Sequence, residues 1–136
     1  MTSPPIHTAI VTGGAKRIGA AITRAMAADG WHVLIHCNSS RAEADALAAE
    51  LAAAGHSASV VAADLADPDA VAVIMAAAQG LPPARLLVNS ASRFVYDRIE
   101  DFAADDFDLH MSVNLRAPAL LTRAFAAALP DSLAEP

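Results

Sequence analysis

The amino-acid sequence predicts an α/β fold in which a parallel sheet is covered by helices on both faces. Three observations carry the prediction. Apolar runs of strand length alternate with helical patterns from the start of the chain; the runs are apolar on successive residues, as burial on both sides requires; and glycines follow the helical patterns where a helix should stop. The first run is Ile6 to Thr12, and the helix after it repeats Ile18, Ile22 and Met26 every four residues, leaving Arg17, Thr23, Arg24 and Asp29 for water before Gly30 ends it. The second run, Trp31 to His36, leads to a helix over Arg41 to Ala54 with Ala44, Leu47, Ala48 and Leu51 on one face, Ser39 or Ser40 available as its cap and Gly55 behind it. A third run, Ser59 to Ala63, precedes a helix from Asp67 to Ala78 with Pro68 in its first turn and Gly80 after its end. The fourth run is Arg85 to Asn89. The last helix, Ala104 to Leu129, carries Phe107, Met111, Leu115, Leu120 and Leu121, with Pro118 expected to bend it near Asn114 and Pro130 to Pro136 read as a loop. Strand and helix in this rhythm imply right-handed βαβ units.

Bulk composition narrows the function classes. A chain of 136 residues with 55% hydrophobic and 18% charged side chains has material for one core and not for two. A net charge of −6 provides no basic stripe for a phosphate backbone, so nucleic acid is not an expected partner. No apolar run approaches the roughly 18 residues that cross a bilayer, and Met1 to Pro5 lack a basic-then-apolar leader, which makes the expectation a cytoplasmic chain. Cys37 is the only cysteine and the five histidines are scattered, so neither a disulfide nor a metal site is expected.

Chemistry concentrates in the turn after the first strand, Thr12-Gly13-Gly14-Ala15-Lys16-Arg17-Ile18-Gly19. Glycines let the backbone turn sharply and approach a pyrophosphate, whose charge suits the free N–H groups and positive end of the following helix. The plainer reading is a tight βα turn needing positive φ. No Gly-Lys-Ser/Thr closes the segment, so it is not a Walker loop. A dinucleotide fold that prefers NAD places an acid after its second strand to hold the ribose 2′-hydroxyl. Here that stretch is Cys37-Asn38-Ser39-Ser40-Arg41, with no acid between Asp29 and Glu43. Hydroxyls, an amide and the cations Arg17 and Arg41 suit a 2′-phosphate, so NADP(H) is the expected cofactor. The fold expected is thus a Rossmann-like doubly wound parallel sheet.

These residues together resemble the short-chain dehydrogenase/reductase family: Thr12, Gly13 and Gly19 at Thr-Gly-x-x-x-x-x-Gly spacing, Asp64-Leu65 after the third strand, Asn89-Ser90-Ala91-Ser92 after the fourth, and Asn114 in the long helix. Ala15 to Gly19, Arg41 to Leu47 and Ala91-Ser92-Arg93-Phe94 are similar to its pteridine reductase branch. The resemblance covers the N-terminal half of a family member, so it implies a single NADP-binding domain over residues 1–136 that stops after four strands and four helices and is incomplete at its C-terminal end. It further implies that Gly13, Lys16, Arg17, Ile18 and Gly19 surround the pyrophosphate and nearby ribose, that Asn38, Ser39 and Ser40 meet the 2′-phosphate, and that Asp64 and Leu65 hold the adenine edge. Asn89 and Ala91 would pass beneath the cofactor, while Ser92 and Phe94 would contact a substrate, with the Phe94 ring stacking on a pterin. Simpler roles stand beside these: a helix start for Asp64, loop packing for Phe94. Two departures matter. Ser90 stands where the family has a second Asn that helps pin the fourth strand, and Ser39 stands where pteridine reductases often place an Arg.

The family moves hydride using a Tyr, a Lys four residues later, a Ser and an Asn. The Lys is needed because a phenol of pKa near 10 is poorly poised at pH 7. The sequence has one Tyr, Tyr96, and one Lys, Lys16, which precedes it; of the constellation only Asn114 is present, with a helix-kink role as its alternative. The resemblance therefore implies the cofactor-binding half of an NADP-dependent reductase acting on a small molecule with a carbonyl or imine, its catalytic half supplied by a continuation of the reading frame or a separate chain. The alternatives are a non-catalytic NADP module and a Rossmann-like domain for another ligand. A fourth strand without its neighbour leaves a bare sheet edge, and the long helix exposes an apolar face, so a homo-oligomer or complementing chain is expected through both.

Overall fold

The structure, a computed structural model, describes residues 3–131. The predicted terminal loop lies outside the described residues from position 132 on. Four strands, β1 (Thr8–Thr12), β2 (His32–Cys37), β3 (Ala58–Ala62) and β4 (Ala84–Asn89), form one parallel sheet in the order β3-β2-β1-β4. Helices α1 (Arg17–Ala28), α2 (Arg41–Ala53) and α3 (Ala70–Ala78) connect them, and α4 (Ala104–Met111) and α5 (Ala117–Ala127) follow β4. This is the predicted α/β architecture, with each strand within two residues of its expected limits.

Alternation along the strands divides the core. Ile10 and Leu34 point to the face covered by α3 and α5, where Ile74, Ala117 and Leu121 are buried with them. Val11, Val33 and Ile35 point to the other face, against Ala20 and Ala27 of α1 and Leu47 and Leu51 of α2. Every residue of β1 and β2 is buried, whereas β4 is only half-buried along Ala84 to Val88. Among the described residues no helix is long and apolar enough to cross a membrane.

Three expectations need correction. The buried face of α1 is Gly19, Ala20, Thr23 and Ala27, with Ile22 and Met26 only partly covered and Ile18 74% exposed. Thr23, expected in water, is fully buried and its hydroxyl donates to the Gly14 carbonyl at 3.0 Å. Small residues face inward because α1 lies hard against the glycine turn, where a large side chain would not fit. The third helix begins at Ala70, so Pro68 lies in the turn before it. The predicted last helix is α4 and α5 joined by a π segment, Ser112–Arg116. Pro118 has no N–H to give the Asn114 carbonyl and crowds it, and the widened turn resolves that conflict without breaking the rod.

Candidate functional site

Strand order reverses between β1 and β4, because the chain steps from β1 out to β3 and then returns to the other side of β1. In open parallel sheets this switch opens a crevice at the carboxyl ends of the strands. A cleft of about 740 Å³ lies there, and each strand end supplies part of its wall: Gly13 and Ala15 to Gly19 after β1, His36 to Ser40 at the end of β2, Asp64 and Leu65 after β3, Ser90 to Phe94 after β4, with Leu109 and Val113 behind.

The turn after β1 requires its glycines at two positions. Gly13 has φ +60, and a Cβ there would meet the Ala91 backbone at 2.8 Å; a Cβ on Gly19 would overlap the Gly13 carbonyl. The close approach of α1 to the turn brings its first backbone amides to the cleft. Arg17 has φ 48, a left-handed conformation that costs a non-glycine residue about 1 kcal/mol. Its side chain lines the cleft, and among the described residues no carboxylate lies within ion-pair distance of it.

At the end of β2, Asn38 and Ser39 are exposed in the cleft wall. Ser40 occupies the N-cap position of α2 but makes no side-chain capping bond, so the capping role expected of Ser39 or Ser40 is not exercised and the hydroxyl stays available. Arg41 differs from expectation: its Nε bonds both oxygens of Asp45 at 3.0 and 3.1 Å, and it is absent from the cleft wall. Lys16 reaches Glu43 at 3.7 Å. Arg17 is therefore the cation of this corner without an acidic partner.

Beyond β3, Leu65 is buried, while the Asp64 carboxylate sits in the wall and accepts from the Ala66 N–H at 2.9 Å. Asp64 thus shapes its own turn, with one carboxylate oxygen left over. At the end of β4 the Thr12 hydroxyl oxygen accepts from the N–H groups of both Ser90 and Ala91 at 3.1 Å. The strand end that Ser90 was expected to leave unpinned is held from β1 instead. Asn89 does not reach the cleft; its amide donates to the Thr122 hydroxyl of α5 at 3.2 Å. Asn114 lies outside the cleft wall as well. Its side chain clamps one residue of the β4 loop, accepting from the Arg93 N–H and donating to the Arg93 carbonyl, both at 2.8 Å. One turn earlier, His110 Nε2 accepts from the Val95 N–H at 2.8 Å, and its ring stacks near Phe94 with centroids 6.2 Å apart. Arg93 and Val95 are held by their backbones, so Phe94, 78% exposed, projects at the mouth of the cleft beside Ser92.

Sequence reasoning missed the roles of His36, Thr23 and His110 and, although the motif singles out Thr12, the bonds its hydroxyl makes; all four act on backbone groups. A histidine next to the end of a buried strand was the one available signal. Burial holds the His36 imidazole below the ordinary histidine range, partly offset by its bond to the Ala63 carbonyl. Burial likewise lowers His32 and raises the Cys37 thiol, the latter partly offset by Arg41. Among the described residues no cluster of His, Cys, Asp or Glu is arranged to hold a metal.

The family profile described as short chain dehydrogenase matches residues 7–133. The chain belongs to the short chain dehydrogenase family. Among its members, the short-chain dehydrogenase/reductase FrzI of Cladobotryum sp is 36% identical over 128 residues, 91% of this chain and 50% of that protein. Pteridine reductase 1 of Leishmania tarentolae is 48% identical over 65 residues, 47% of this chain and 22% of that protein. The crystal structure of FolM alternative dihydrofolate reductase 1 from Brucella canis, complexed with NADP, superposes with a TM-score of 0.86 at 39% identity, covering 93% of this chain and 50% of that one. This short chain dehydrogenase sequence spans about half the length of the curated relatives it matches.

Proposed function

We propose that the chain is the NADP(H)-binding part of an oxidoreductase that reduces a carbonyl or imine, forming one domain over residues 1–136 that works with further polypeptide. The observation that carries the reading is the corner after β2: exposed Asn38 and Ser39, a Ser40 hydroxyl free of capping duty and an unpaired Arg17, with no acid at the strand end. Four strand ends converge on a cleft large enough for a dinucleotide, and Gly13 and Gly19, which line it, stand where a Cβ would strike the neighbouring backbone. Relatives solved with NADP support the same choice.

In this reading the amides at the start of α1, with Gly13, Lys16, Ile18 and Gly19, bind the pyrophosphate region, and Arg17, Asn38, Ser39 and Ser40 take the 2′-phosphate. Asp64 accepts from the adenine amino group and the Leu65 backbone amide donates to its ring; Ala91 forms the floor. NADPH supplies the hydride. Ser92 orients the substrate, Phe94 offers a stacking face, and Asn114 fixes the loop that carries both. A pterin is the substrate class we favour, because Phe94 stands at the mouth and a pteridine reductase is among the relatives. A second reading, a module that binds NADP(H) without turnover, is favoured by one fact: Lys16 precedes Tyr96, so no Tyr-x-x-x-Lys pair exists in the sequence.

Calorimetric titration with NADP+ and NAD+ tests the cofactor assignment. A preference for NADP+ of about tenfold, equivalent to about 1.4 kcal/mol, is expected, and equal affinities overturn it. Arg17→Ala should weaken NADP+ more than NAD+. Reduction of a carbonyl or pterin by the chain alone would remove the need for further polypeptide.

A further inference from the structure

We propose that His36 is a positioning residue which, in one tautomer only, ties the pyrophosphate turn to the adenine-side loop, so that a proton on its ring loosens the dinucleotide cleft. The inference rests on the dinucleotide reading above and adds to it a residue that contacts the binding loops rather than the ligand's charge.

His36 is 1% exposed, and its backbone carbonyl and both ring nitrogens are engaged. Its backbone carbonyl accepts from the Gly14 N–H at 3.0 Å, and its Nδ1 lies 3.1 Å from the Gly13 N, the two amides at the head of the turn. Since Gly13 can only donate, Nδ1 must present a lone pair, and the ring proton must sit on Nε2. That assignment fits the other side, where Nε2 lies 2.8 Å from the Ala63 carbonyl, which can only accept. One flat ring therefore spans from the first glycine of the turn to the residue before Asp64 and Leu65. The other tautomer would break both bonds at once.

Protonation at Nδ1 sets two donors face to face in a buried place. The Gly13 N–H loses its acceptor, and the turn that begins there at φ +60 loses a tether. The charged and titratable groups nearby are Lys16 and Arg17 from the turn and the start of α1, Cys37 beside it on β2, Arg41 of α2 and Asp64 beyond β3; β1 and β3 contribute none. None of these governs the ring: burial is the dominant influence and favours the neutral form.

Calorimetric titration of the chain with NADP+ and with NAD+ across pH about 5 to 8 tests this, the NAD+ series removing the titration of the 2′-phosphate itself. Expected is a loss of about tenfold in affinity for both dinucleotides on the acid side, alike in the two series. His36→Asn places an amide oxygen where Nδ1 stood, and should hold affinity within about threefold at neutral pH while flattening the NAD+ profile. His36→Gln reaches only the Nε2 position and should lose about tenfold at every pH. A wild-type NAD+ profile that is flat, or one that His36→Asn leaves unchanged, overturns the inference alone. Failure of the wild-type chain to bind either dinucleotide at any pH overturns the dinucleotide reading and this inference with it. Nitrogen chemical shifts of His36 in the wild-type chain give a check that needs no variant: Nε2–H supports the proposal and Nδ1–H overturns it.

Discussion

The two walls of the cleft are built differently. On the β1–β2 side the loops spring from fully buried strands, and the turn is fastened from within by His36 and Thr23. On the β4 side the strand is half-buried, the segment Ser90 to Ala103 contains no helix or strand, and Phe94, Tyr96 and Ile99 are each at least 75% exposed. Phe107, Met111 and Leu115, at four-residue spacing across α4 and the π segment, also face outward. The β1–β2 wall is thus set by the core, while the other wall depends on a few side-chain bonds to backbone, from Thr12, His110 and Asn114. A rigid half-site and a tethered one follow from the same sheet.

The sharpest way to break this contrast is to attack the rigid wall. Gly19→Ala forces a methyl group into the Gly13 carbonyl and should cost about 3 kcal/mol in urea unfolding, since backbone must move. A loss near zero would show the turn to be pliable. Thr12→Val removes the acceptor of two amides and should cost about 2 kcal/mol, whereas Thr12→Ser should restore most of it. Acid probes the same wall. His32 and His36 are held below their ordinary range when folded, so the unfolded chain takes up protons first. Stability should be level at neutral pH and above, then fall by about 1 kcal/mol per unit as pH drops below about 6.5, as read by denaturant midpoints. Asn114→Ala should cost about 1 kcal/mol and speed hydrogen exchange at the Arg93 amide while leaving the Gly13 amide unchanged. The smallest effect belongs to the exposed stripe. Met111→Lys should change unfolding by less than about 0.5 kcal/mol but reduce self-association in sedimentation, and a large loss of stability would mean that the face is packed within the chain itself.

Fold class was legible because periodicity and glycine stops are local signals, and the sheet order follows from short connections between them. The cleft was legible where a residue type announces its chemistry: Gly13 and Gly19 by the room they leave, Ser39 and Ser40 by the missing acid. What stayed hidden depended on distance in space. Arg41 and Asp45 are four residues apart on α2, yet only their pairing shows that Arg41 is occupied. Asn89 carries a family motif, but a hydroxyl 33 residues away takes its amide. Ile18 resembles a core residue by spacing, and it is the nearness of Gly13 to Gly19 that turns smaller neighbours inward.

One oxygen atom on Thr12 has a consequence for the position opposite. Because that hydroxyl secures the splice between the inner strand and its neighbour through main-chain amides, the Ser90 side chain is discharged from architectural duty. Alanine at 90 should be accommodated without protest, and a side chain that lines the cleft is left without any task in the scaffold.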